Sequence, residues 1–126
     1  MNTNELYKIK DDLKKLILKV GKIVEEGYHS NEKEITTKTH KNDFLTKYDL
    51  LANSMIVNYI KEKYPDINII SEEEPKINNK SEYSFIIDPI DGTMNFVRKI
   101  PIFYSGIALA KNNKTILCLT YNPILK

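Results

Sequence analysis

An α+β fold, with two N-terminal helices layered on a mainly antiparallel sheet, is what the 126 residues predict, and three observations carry that reading. Two segments repeat apolar residues at helical spacing. Several shorter runs are rich in β-branched and aromatic residues. The last two of those runs are joined by a short polar turn, with no room for a crossover helix.

The first helix rests on Leu6, Ile9, Leu13, Leu16, Ile17, Val20, Ile23 and Val24, with Lys and Asp on the opposite face, and Asn2 and Glu5 suit its cap. Gly21 weakens such a helix by about 1 kcal/mol relative to alanine, which implies close packing by another element there. From Tyr28 to Asn42 the chain turns polar; Glu34 to Thr39 reads as a strand that turns and returns near Asp43, a mobile hairpin. Thr46-x-x-Asp49 resembles a capping box and opens a second helix, with Ala52, Met55, Ile56, Tyr59 and Ile60 inward and Pro65 as its stop. Pro75 to Glu82 and Arg98 to Pro101 read as loops. Phe103 to Ala110 and Thr115 to Tyr121 form a hairpin, because Lys111-Asn112-Asn113-Lys114 supplies residues that tolerate positive φ.

Composition narrows the function. Net charge is +2, with Lys, Glu and Asp interspersed, so neither a nucleic-acid arm nor a polybasic membrane anchor is present. The single Cys118 excludes a disulfide framework and a cysteine metal site, and its apolar run predicts a buried, inert thiol. No apolar stretch reaches spanning length and the N-terminus lacks a signal-peptide core, which points to a cytoplasmic protein.

Chemistry concentrates in Ser84-Phe85-Ile86-Ile87-Asp88-Pro89-Ile90-Asp91-Gly92-Thr93-Met94-Asn95-Phe96. An apolar strand stops at Pro89, which leaves Asp88 at its end; Asp91-Gly92-Thr93 then turns into a short helix whose first N–H groups can face an anion. Upstream, Ile67 to Ile70 runs into Ser71-Glu72-Glu73-Glu74, a second strand end carrying acids. Together Glu72, Asp88 and Asp91 would repel one another unless a hard cation such as magnesium joined them. Taken singly, the Asp-Gly pair also reads as a plain turn, the Glu triplet as a solvated loop, and Asp49 as a helix-cap acid. His29 and His40 stand apart from these acids.

Asp88-Pro-Ile-Asp-Gly-Thr-Met-Asn-Phe96, preceded by Glu72-Glu73, resembles the inositol monophosphatase family of lithium-sensitive, metal-dependent phosphatases, and the resemblance extends over almost the whole chain. It implies Glu72, Asp88, Asp91 and the Ile90 carbonyl as magnesium ligands, with manganese as a substitute. It further implies that Glu72 and Thr93 position an attacking water, with Asp49 near the metals, Gly92 and Thr93 on the substrate phosphate, and Asp43 as a second upstream acid. Lys38 falls where a flap lysine belongs, although a solvated edge-strand lysine is an equal reading. The implied activity is hydrolysis of inositol monophosphate or a related sugar phosphate. Alternatives are fructose-1,6-bisphosphatase or a bisphosphate-nucleotide phosphatase, and Met94-Asn95-Phe96 leans toward inositol phosphate.

The sequence stops at Tyr121-Asn122-Pro123-Ile124-Leu125-Lys126, before the family's Trp-Asp motif, which supplies a further metal aspartate and much of the substrate wall. Residues 1–126 thus read as the amino-terminal, metal-binding part of such a domain. Its expected partners are a small phosphorylated substrate, and either further copies of itself or a complementary C-terminal half; nucleic acid and membrane are not among them. A non-catalytic fragment acting only by association is the remaining alternative.

Overall fold

Asn2 accepts the Glu5 backbone N–H at 2.8 Å, and from this cap helix α1 runs over Thr3–His29 in the computed structural model, which describes residues 1–31, 33–37 and 44–126. Its stripe of Ile9, Leu13, Leu16, Ile17, Val20 and Val24 is buried. Helix α2 (Lys47–Lys63) begins at Thr46 with both halves of the predicted capping box formed, and Ala52, Ile56 and Ile60 lie fully buried on its inner face. A latch ties the end of α2 to the first half of α1: Tyr64 donates to Asp12 at 2.8 Å and Lys63 lies 3.0 Å from the same carboxylate oxygen. Burial raises the Asp12 carboxyl, but the hydrogen bonds from Lys63 and Tyr64 and the lysine charge outweigh it and hold the group below its ordinary value.

Glycine sets how closely the helices approach. A Cβ on Gly27 would come within 2.4–2.7 Å of the Tyr48 ring, and one on Gly21 within 2.4 Å of the Tyr121 ring, which bears out the close packing expected at Gly21. Gly27→Ala is therefore expected to destabilise the fold by about 1–3 kcal/mol through overpacking, less the ~1 kcal/mol that alanine gains in helix propensity. Urea unfolding measures it; an unchanged midpoint would mean that the Tyr48 ring swings aside without cost.

The strands are β1 (Thr36–Thr37), β2 (Phe44–Leu45), β3 (Asn68–Ser71), β4 (Glu74–Ile77), β5 (Tyr83–Asp91), β6 (Tyr104–Lys111) and β7 (Lys114–Tyr121), with a short helix α3 (Thr93–Val97) after β5. β1 and β2 form the small antiparallel pair expected near residues 34–43. The other five form one sheet in the order β4-β3-β5-β6-β7, antiparallel except where β3 and β5 run parallel. Asn112 and Asn113 take φ of 49° and 69°, so the two-residue hairpin turn forms as their tolerance of positive φ predicts.

The helices cover one face of this sheet. Ile69, Phe85, Leu109, Ile87 and Ile107 point into that buried layer. On the opposite face the registers align Ile70, Ile86, Ala108 and Cys118 in one row across four strands, and Ile86 is 42% exposed in the middle of the central strand. Cys118 is accordingly exposed, not buried as its apolar neighbours suggested, because β7 is an edge strand and side chains alternate between faces. A second correction concerns Glu74–Ile77, which forms edge strand β4 in place of the start of a loop; Pro75 is tolerated there because an edge leaves one side of the ladder unpaired. Among the described residues no helix is long and apolar enough to cross a membrane.

Candidate active site

Strand β5 does not stop at Pro89. It continues to Asp91 through a register shift against β6 between Asp88 and Asp91, an irregularity that accommodates a residue without an N–H. Ser105, fully buried on β6, donates its hydroxyl to the Pro89 carbonyl at 2.7 Å and fixes the bulge from the side. Asp88 therefore sits three residues before the strand's end, opposite Gly106, while Asp91 pairs with Tyr104. The Tyr104 hydroxyl is pushed up to about 12, chiefly by its hydrogen bond to the Asp91 carboxylate, then by desolvation and the charges of Asp91 and Asp88.

Beyond Asp91 the chain turns on Gly92, which holds φ +92°; a Cβ there would lie 3.1 Å from the Ile102 carbonyl and 3.3 Å from Phe103. Helix α3 starts at Thr93, with Phe96 N–H donating to the Gly92 carbonyl at 3.0 Å. Phe96 anchors it among the rings of Tyr28, Tyr48 and Phe103, whose centroids lie 5.3–6.4 Å away. The end of β5 and the start of α3, which carry Asp88, Ile90, Asp91 and Thr93, are thus clamped by the core on their inner side.

Helix α2 reaches the same turn. Asp49 is fully buried and spans two elements: one carboxylate oxygen accepts the Thr46 backbone N–H at 2.9 Å and the Thr46 hydroxyl at 2.6 Å, and the other accepts the Thr93 hydroxyl at 3.0 Å. Thr93 also lies 3.1 Å from the Ile90 carbonyl. Glu72 arrives from β3: the parallel register ends at Ser71 beside Ile87, so the next residues along, Glu72 and Asp88, start out as neighbours. Asn53, one turn beyond Asp49 on α2, donates to Glu74 at 3.1 Å and accepts the Ser71 hydroxyl, on either side of Glu72 and Glu73.

Glu72 therefore occupies the turn after β3; Asp88, Ile90 and Asp91 the end of β5; Gly92 and Thr93 the start of α3; and Asp49 the start of α2. Among the described residues no three acidic, histidine or cysteine side chains are gathered closely enough to hold a metal ion. Their donor set nonetheless matches a hard cation: carboxylate oxygens from the turn after β3 and the end of β5, with a backbone carbonyl between two of them. Lys38 and Asp43 lie outside the described residues, as does His40; His29 packs edge-on against Tyr28, away from the acids. The roomiest of the described clefts, about 490 Å³ between α1 and β7, contains none of the acids. Sequence reasoning missed Asn53, Ser71, Tyr104 and Ser105, although the four-residue step from Asp49 puts Asn53 on the same helix face and was there to be read.

The sequence pattern of the inositol monophosphatase family matches residues 5–126. The Nus factor SuhB of Pasteurella multocida is 36% identical over 107 residues, 84% of this chain and 40% of that protein. Among solved structures, Thermotoga maritima IMPase superposes with a TM-score of 0.84 at 36% identity, over 94% of this chain and 45% of its own. An IMPase/NADP phosphatase complexed with Mg2+ and phosphate gives a TM-score of 0.83 over 94% of this chain and 45% of its own; at 21% identity it speaks for the fold alone. The chain thus spans less than half the length of these relatives.

Proposed function

The chain belongs to the inositol monophosphatase family, a family of phosphatases, and from that premise we propose that it is the metal-binding part of a magnesium-dependent phosphomonoesterase acting on inositol monophosphate or a related sugar phosphate. The observation that carries this reading is the Asp49–Thr93–Ile90 link, which commits a hydroxyl proton at the turn holding both aspartates.

Glu72, Asp88, Asp91 and the Ile90 carbonyl would hold magnesium, or manganese in its place. The bound cation supplies Lewis-acid stabilisation of phosphate charge and acidifies a water. Thr93 gives its one proton to the buried Asp49 carboxylate, which is acceptor-only when ionised, so the hydroxyl's remaining lone pairs accept from a water aligned on phosphorus. Glu72 would take the proton as that water attacks phosphorus, while the bond from phosphorus to the ester oxygen breaks and the leaving alkoxide takes up a proton from solvent. Gly92 and Thr93 begin α3, where the first backbone N–H groups have no intrahelical partner and suit a phosphate oxygen. Lys38 keeps the flap role that the family resemblance implies. Inhibition by lithium and a cytoplasmic location belong to the same proposal. Fructose-1,6-bisphosphate and a bisphosphate nucleotide are the substrates to compare.

The partner follows from the bare sheet face. A row of Ile70, Ile86, Ala108 and Cys118 on the side away from the helices calls for a covering layer, and polypeptide equivalent to the remainder of the relatives' length is the cover we assign to it. The name Nus factor, carried by relatives 30–40% identical, favours a second reading in which the chain works by association and not by turnover. Nucleic acid and membrane are not proposed as partners.

The test completes the chain with the remaining segment of Thermotoga maritima IMPase and follows phosphate release from inositol monophosphate. Magnesium-dependent release that lithium inhibits is expected. Activity persisting in EDTA would sink the metal reading, and a well-folded but inert complex would favour association.

A further inference from the structure

Resting on that reading of Glu72 as a ligand, we propose that Asn53 is the positioning residue for the Glu72-Glu73 turn. Asn53 is 2% exposed and spends both ends of its amide on the residues that bracket this turn. Its Oδ1 accepts the Ser71 hydroxyl, and its Nδ2 donates to Glu74 Oε2 at 3.1 Å. Ser71 Oγ in turn accepts the Glu73 backbone N–H at 3.3 Å. The β3–β4 ladder pairs Ser71 with Glu74 across this turn, after a register shift between Ile69 and Ser71. The buried amide on α2 ties those same two residues to the helix as a second constraint.

Side-chain chemistry makes the position specific. Asparagine offers one donor and one acceptor group, matched here to a carboxylate and a hydroxyl; aspartate would turn an acceptor toward Glu74, and leucine would leave both partners unmatched. Asp49 and Asn53 are four residues apart and share one face of α2. That face therefore braces both acid turns, Thr93 through Asp49 and Glu72 through Asn53. Asn53 is not among the proposed ligands; it acts by fixing where Glu72 starts.

The full chain is tested as wild type, Asn53→Asp, Asn53→Leu and the control Asn58→Asp, which adds the same charge at an exposed site on α2. Amide hydrogen exchange reads the turn, and manganese calorimetry reads the ligand set. In both Asn53 variants the Glu73 amide is expected to exchange about tenfold faster while Tyr48 and Asp49 keep their protection, and manganese affinity is expected to fall about tenfold. Asn58→Asp should change neither. Because leucine can unsettle the fold, the near-isosteric aspartate keeps the test decisive. Unchanged exchange at Glu73 in Asn53→Asp overturns the proposal. So does unchanged manganese affinity in a chain whose binding Asp88→Asn abolishes. A wild type that titrates no differently from Asp88→Asn would remove the metal reading instead, and Glu73 exchange alone would then decide the positioning role.

Discussion

Manganese titrated into the Asp88→Asn chain is expected to give little more than heat of dilution, whereas the unaltered chain shows a weak but saturable heat. Asp88 is the acid common to both halves of the arrangement: the β3 register brings it beside Glu72, and the bulge through Pro89 connects it to Asp91. Oxygen-ligated sites tune affinity over several decades through ligand charge and rigidity, so losing the central carboxylate of three should weaken binding on the order of 10²-fold. Asparagine keeps the shape of aspartate. The variant should therefore melt at about the same temperature. Equal heats for the two chains would show that no such site exists, and a lower melting temperature would mean that any lost heat reflects misfolding.

What was legible in the sequence was local. Helix caps, the Asn112-Asn113 turn and the turn at Gly92 are each decided by a few consecutive residues, and the structure forms them as read. Misreadings arose where a neighbouring strand decides. Pro89 stays within β5 because the register shifts around it and Ser105 holds its carbonyl; Glu74–Ile77 is a strand only because β3 offers it an edge; Cys118 faces outward because β7 is the sheet's last strand. Asp49 shows a different limit. Its cap and site roles looked like alternatives, yet its two carboxylate oxygens serve Thr46 and Thr93 separately, so the group that starts α2 also reaches the turn after β5. Asn53 carried no motif, since its meaning lies in a turn some twenty residues away.

Catalysis by residues 1–126 alone should be poor, and supplying the rest of a relative's length should raise turnover by at least ~10³-fold. The proposed site residues lie at the ends of β3 and β5 and the starts of α2 and α3, the roomiest described cleft contains none of the acids, and the substrate walls are assigned to the rest of the relatives' length. Holding a phosphate ester and a water in a reactive geometry is worth roughly 7–11 kcal/mol in favourable cases, and even half of that lost amounts to several powers of ten. The proposed cover bears on association as well. Ile86 is exposed in the centre of the sheet, and β7 presents an unpaired edge within the described residues, two features that favour self-pairing when nothing else covers them. Alone, the chain is expected to elute from a sizing column as oligomers; with the complementary segment it should elute as a discrete complex with Cys118 shielded from thiol reagents. Ile86→Lys should disperse the oligomers and, if the assigned cover is right, also block complementation. A compact monomer that matches the turnover of a full-length relative on inositol monophosphate would refute both expectations, because walls and cover would then be dispensable.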